Sequence, residues 1–120
     1  MEPININPAK DTPKVILNAG TGIFEISGCS MPNDVEQFYR PIMDWLEEYD
    51  KSPNESTIVN FKFSYFNTAS AKMLLDIVMI LEKIPNVVIK WHFASDDDEM
   101  REAGEDFADI AEVAIEMIEY

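Results

Sequence analysis

Two hydrophobic rhythms alternate along this chain. From Thr57 to Tyr65 every second residue is apolar: Val59, Phe61, Phe63 and Tyr65 share one face, and Asn60, Lys62 and Ser64 share the other. Val87, Ile89, Trp91 and Phe93 repeat the pattern against Lys90 and His92. A period of two marks a strand whose one face is buried. Two strands that each keep a polar face predict a sheet covered by helices on one side, because a doubly wound sheet would bury both faces.

The other rhythm is helical. Val35, Phe38, Ile42, Leu46 and Tyr49 recur at spacings of three and four, which predicts a helix from about Asn33 to Tyr49. Asn33 or Asp34 is its cap, Trp45 belongs to the core, and Pro41 should kink it by removing one hydrogen bond. A second helix follows Thr68, with Leu74, Ile77, Val78 and Leu81 inward, and ends at Pro85-Asn86. A last helix is predicted from about Asp98 to Ile118, burying Phe107, Ile110, Ala111, Ala114 and Met117.

Ahead of these lie a short edge strand at Ile4 and Ile6, then strands Lys14 to Leu17 and Ile23 to Ser27. The turn between the two, Asn18 to Gly22, has the Asn and Gly that positive φ requires. Gly28 to Pro32 and Asp50 to Ser56 read as loops. The order is ββ-α-β-α-β-α. Strand–helix–strand crossovers of this length make parallel, right-handed neighbours. The expected fold is one α/β domain over 1–120, a mixed four- to five-stranded sheet with three helices packed mainly on one face. A chain of this length buries roughly two thirds of its unfolded surface, enough for a core without staples.

The junction Tyr65-Phe66-Asn67-Thr68-Ala69-Ser70-Ala71-Lys72 is where an alternating strand gives way to a helix. Hydroxyls at such a junction cap free backbone amides. The same amides and the helix dipole also attract a phosphate. Lys72 stands one turn after Thr68, within reach of a phosphate there. A plain helix cap and a modification site are both compatible with these residues.

Charge narrows the function. Nine Lys and Arg against 23 Asp and Glu leave −14. That balance argues against nucleic acid and against an anionic membrane surface, both of which need basic residues. A lone Cys29 allows no intrachain disulfide and fits a reducing cytoplasm. The N-terminal residues lack the basic and apolar regions of a signal peptide, and no apolar run approaches a membrane span.

Catalytic chemistry is poorly represented. His92 is the single histidine and falls on a strand's polar face; no phosphate loop, zinc spacing or nucleophile elbow is present. Asp96-Asp97-Asp98-Glu99 could draw a hard cation, but it lacks EF-hand spacing and sits where a helix dipole favours acids. No catalytic residue, metal or cofactor is expected. A small divalent-metal-dependent enzyme built on Asp96 to Glu99 is the alternative from another class, and a constitutive interaction module is a third.

Five stretches, in order, carry a resemblance. They are Phe24-Glu25-Ile26-Ser27-Gly28 with Ser30 and Pro32, Phe38 to Tyr49 with Pro41 and Trp45-Leu46, the junction itself, Trp91-His92-Phe93, and Asp96-Asp97-Asp98 followed by Glu102-Ala103-Gly104. Together they resemble the SiaC-type regulatory phosphoproteins, small bacterial proteins with a STAS-like two-layer fold similar in outline to anti-sigma-factor antagonists. The likeness fades before Gly20 and after about Glu105. It implies a cytoplasmic, phosphorylation-switched binding protein with Thr68 as phospho-acceptor and Asn67, Ser70, Lys72 and Ser30 on the phosphate and partner surface. It further implies three partners: a diguanylate cyclase activated by the unmodified form, a dedicated Ser/Thr kinase, and a PP2C-type phosphatase. That circuit would control cyclic-di-GMP and biofilm formation.

Overall fold

The computed structural model describes residues 1–120. Its elements run β1 (Ile4–Ile6), β2 (Lys14–Asn18), β3 (Ile23–Ser30), α1 (Val35–Asp50), β4 (Thr57–Phe66), α2 (Thr68–Leu81), β5 (Val87–Phe93), α3 (Asp98–Ile110) and β6 (Ala114–Glu119). All six strands form one sheet in sequential order. β1, β2 and β3 pair antiparallel; β3, β4, β5 and β6 pair parallel. Each right-handed crossover therefore advances in the same direction and lays its helix on the same face. The opposite face carries Lys62, Lys90 and His92, as the period-two reading required.

The core lies between that sheet and the helices. Phe24 packs edge-on to Trp45 of α1. Phe61 and Phe63 meet Trp91, which lies against Phe107 of α3 at 5.2 Å. Leu74, Ile77, Val78 and Leu81 of α2 are buried with them.

The sheet has six strands rather than four or five, because the last predicted helix is two elements. α3 stops at Ile110, where Ala111 turns to an extended φ of −79° and ψ of 144°. Ala114–Glu119 then pairs parallel with β5, Ile115 opposite Ile89 and Met117 opposite Trp91. Ile115 and Met117 pack on the core, while Ile110 and Ala114, expected to be buried, are exposed. An unpaired β5 edge offers a full ladder of hydrogen bonds, and Ala114 to Glu119 alternates well enough to take it.

Three smaller differences bear on the site. β3 runs on to Ser30, so residues 28–30 are strand and not loop. The β3–β4 register then slips: Gly28 faces Phe63, but Cys29 faces Tyr65, leaving Ser64 unpaired in a bulge. Gly28 takes a φ of 101°, a backbone conformation that side chains disfavour. The bulge turns Tyr65 outward, 51% exposed, and rolls Phe66 toward the core. α1 runs unbroken through Pro41, which lies on its exposed side, and is rotated so that Tyr39 is buried and Phe38 only half-buried.

Candidate functional site

The C-terminal ends of the parallel strands gather the starts of all three helices at one edge of the molecule. β4 delivers Asn67 and Thr68 there. Asn67, with φ −87° and ψ 175°, is the N-cap of α2: its Oδ1 accepts from the Ser70 amide at 2.9 Å. Its backbone amide donates to the Ser30 carbonyl at 3.1 Å, and its carbonyl accepts from Ala71 at 2.9 Å. Thr68 is the first helical residue rather than the cap, and it is exposed. The amides of Thr68 and Ala69 stand at the open end of the helix beside it. No acidic residue occupies that first turn to use the dipole.

Ser70 and Ser30, expected on the surface, are both 0% exposed. They are corrected to interior positions, and their chemistry is structural. Ser70 Oγ donates to the Ser30 carbonyl at 2.9 Å, and Ser30 Oγ donates to Ser70 Oγ at 2.9 Å. Ser30 Oγ also lies 2.5 Å from the Tyr39 hydroxyl. Each hydroxyl has one proton. Both serine protons are spent, so Tyr39 is the donor in that third bond. Burial pushes the Tyr39 phenol up to about 12, against a smaller opposing pull from its Ser30 bond. It therefore remains a neutral donor. This chain ties the end of β3, the start of α2 and the first half of α1 into one support under Thr68.

Lys72 is exposed one turn further along α2, on the same side as Thr68. A groove of about 370 Å³ opens beside them, between α2 and α3. Thr68, Ala71, Lys72 and Leu75 line one wall; Asp106, Phe107 and Ile110 line the other. The sequence flagged only Thr68 and Lys72 there. It placed Phe107 and Ile110 in the core, and Leu75 and Asp106 carry no local signal, since the groove exists only once α3 is docked.

The acidic run has a local role. Asp97 caps α3, its Oδ1 accepting from Met100 at 3.0 Å, and Asp98 faces Arg101 at 3.7 Å. No group of three or more His, Cys, Asp and Glu side chains is disposed around a common point. His92 lies on the open sheet face, its Nε2 2.9 Å from Asn60 Oδ1. No helix is long and apolar enough to cross a membrane.

Fold and site together define an open-faced α/β domain that presents an accessible threonine hydroxyl at a helix N-terminus. The family model described as SiaC family regulatory phosphoprotein matches residues 6–120, so the chain belongs to that family and is a regulatory protein, not an enzyme. The crystal structure of apo-SiaC from Pseudomonas aeruginosa is similar with a TM-score of 0.88 at 22% identity, covering 98% of this chain and 99% of that one. SiaC in the complex of the diguanylate cyclase SiaD with its activator SiaC, from the same organism, is similar with a TM-score of 0.91 at 21% identity and the same coverage. A protein of Pseudomonas aeruginosa strain UCBPP-PA14 is 23% identical over 111 residues, 89% of this chain and 88% of that protein.

Proposed function

We propose that this protein is a phosphorylation-switched activator of a diguanylate cyclase, with Thr68 as the phospho-acceptor. The observation that carries the acceptor is a contrast two residues apart: Thr68 is exposed and Ser70 is wholly buried. A kinase needs a hydroxyl it can surround, and only the first offers one. A phosphate on Thr68 brings about −1.5 to −2 charges to a helix N-terminus, where open amides and the dipole favour it. Lys72 gives it a cation one turn away. The domain keeps its fold while Thr68, beside the groove, changes from a neutral hydroxyl to a strongly anionic group.

Support for the cyclase comes from family membership and from the complex in which a structurally similar SiaC activates SiaD. In this reading the unmodified protein binds the cyclase, a dedicated Ser/Thr kinase adds the phosphate, and a PP2C-type phosphatase removes it. The setting is a bacterial cytoplasm, the output cyclic-di-GMP and biofilm formation, and the scaffold a STAS-like domain. Asn67 and Lys72 complete the phosphate and partner surface.

The test is calorimetric titration of a diguanylate cyclase from the same genome with wild-type, Thr68→Ala and Thr68→Glu protein. Wild type and Thr68→Ala should bind, and Thr68→Glu should bind at least about tenfold more weakly. Mass spectrometry of the protein recovered from cells should find phosphate on Thr68. Equal binding by all three, or phosphate elsewhere, overturns the proposal.

A further inference from the structure

We infer that the open face of the sheet is a self-association surface, on which a second copy of this chain packs sheet to sheet about a two-fold axis running along β4. The inference goes beyond the cyclase reading and does not rest on it.

The face differs in charge from the rest of the molecule. Its strand positions carry Lys14, Lys62 and Lys90 against Glu25 and Glu116. That is +1 on a chain of −14, so the rest of the molecule holds −15. Two copies that meet through any other side bring acid to acid; through this face they do not. Neither Lys62 nor Lys90 takes part in an ion pair within the chain.

The pattern is also its own complement. Register partners make rows across the sheet, and one row is Glu25, Asn60 and Lys90, on β3, β4 and β5. A two-fold axis along β4 sets Glu25 of one copy opposite Lys90 of the other, and Lys90 opposite Glu25. Two residues nearer the strand starts, Ile58 is partnered by Val88, and Ile23 stands beside Ile58 by extension of the β3–β4 register. The same axis sets Ile58 against Ile58 and Ile23 against Val88. Ile23 is 50% exposed and Ile58 44%, so apolar surface is available to bury.

Two local details favour this pairing. Glu25 Oε2 accepts from the Ser27 hydroxyl and faces Lys14, which leaves Oε1 for a partner outside the chain. Lys62, the like charge beside the axis, is drawn toward the β6 edge, its Nζ 4.5 Å from the centre of the Tyr120 ring. Aligned sheets pack about 10 Å apart, a gap that side chains of this size fill. Both helical layers, with Thr68, stay on the outside of such a dimer.

Sedimentation velocity over a concentration series should show monomer passing to dimer. Amide shifts on dilution should gather on β3, β4 and β5. Ile58→Glu should weaken the dimer at least about tenfold. Glu25→Lys and Lys90→Glu should each do the same by setting like charges face to face. The double variant Glu25→Lys/Lys90→Glu exchanges the two charges and should recover most of the loss, a rescue that misfolding cannot mimic. Met79→Glu, at a 54% exposed position on the helical layer, should leave the dimer intact. Thermal melts check that each variant folds. A protein still monomeric at about 1 mM overturns the inference. So does a dimer untouched by Ile58→Glu, a double variant no better than the single ones, or a dimer broken by Met79→Glu.

Discussion

The Ser70 hydroxyl donates to the Ser30 carbonyl at 2.9 Å, joining the first turn of α2 to the end of β3 across forty positions of sequence. The bond is fully buried, and its neighbours Ser30 Oγ and the Tyr39 hydroxyl complete a closed chain. Removing the Ser70 hydroxyl leaves the Ser30 hydroxyl proton without its acceptor in a dry interior, which costs more than the bond itself contributes. Ser70→Ala should therefore destabilise the protein by about 1–3 kcal/mol in urea unfolding. Tyr39→Phe removes a donor but leaves both serine bonds intact, and should cost less. Equal, negligible losses would show that the chain of hydroxyls supports nothing.

A second prediction concerns Gly104. A Cβ built there would lie 2.5 Å from Trp91 Cδ1 and 2.7 Å from Met117 Cε. The indole is pinned by its own bond to the Met100 carbonyl at 3.0 Å, so it cannot swing aside freely. Helix propensity alone would make Gly104→Ala stabilising by up to about 1 kcal/mol. The clash should win, with a net loss of about 1–3 kcal/mol in thermal or urea unfolding. A raised melting temperature would show that α3 can lift off Trp91.

These two sites also show what the sequence made legible. Period two in β4 and β5 announced a sheet with one open face, because that signal is local and a single register shift would reverse it. The Ser64 bulge is such a shift, and the sequence does not mark it because Tyr65 continues the alternation. β6 was unreadable for a related reason. Phe107, Ile110, Ala111, Ala114 and Met117 fit a helical stripe, and neither Gly nor Pro marks the stop at Ala111. Only the pairing opposite β5 decides it. At the candidate site the junction itself was legible, but burial of Ser30 and Ser70 depends on Tyr39, whose partner lies nine residues away on another element.

The third prediction follows from His92. Desolvation, then Lys62 and Lys90, hold it below its ordinary 6.5, with Glu25 pulling weakly the other way. The unfolded chain thus takes up this proton at a higher pH than the folded protein. The stability His92 contributes is present above 6.5 and is lost as pH falls through 6.5 toward the folded value. Nuclear magnetic resonance titration of the imidazole should give a midpoint below 6.5, and His92→Gln should flatten the fall in melting temperature over that window. A midpoint above 6.5 would mean that Glu25 outweighs desolvation and the two lysines together.

The last prediction separates the cap of α2, which the sequence assigned to a hydroxyl and the structure assigns to Asn67, from the residue after it. Asn67 caps α2 through its bond to the Ser70 amide, whereas Thr68 follows as an exposed first residue. Asn67→Ala should cost about 0.5–2 kcal/mol, the usual loss when a capping side chain is removed. Thr68→Ala leaves that cap intact and should change stability by no more than about 0.5 kcal/mol, as a surface substitution does. Thr68→Glu places a negative charge at the positive end of the helix and should hold stability at or slightly above wild type, by about 0.3–1 kcal/mol at low salt. Adding salt should erase that gain, since it is electrostatic and exposed. The three variants are compared by urea unfolding at two ionic strengths. If Thr68→Ala costs as much as Asn67→Ala, the cap is shared, and modifying Thr68 would weaken the helix it is meant to leave in place.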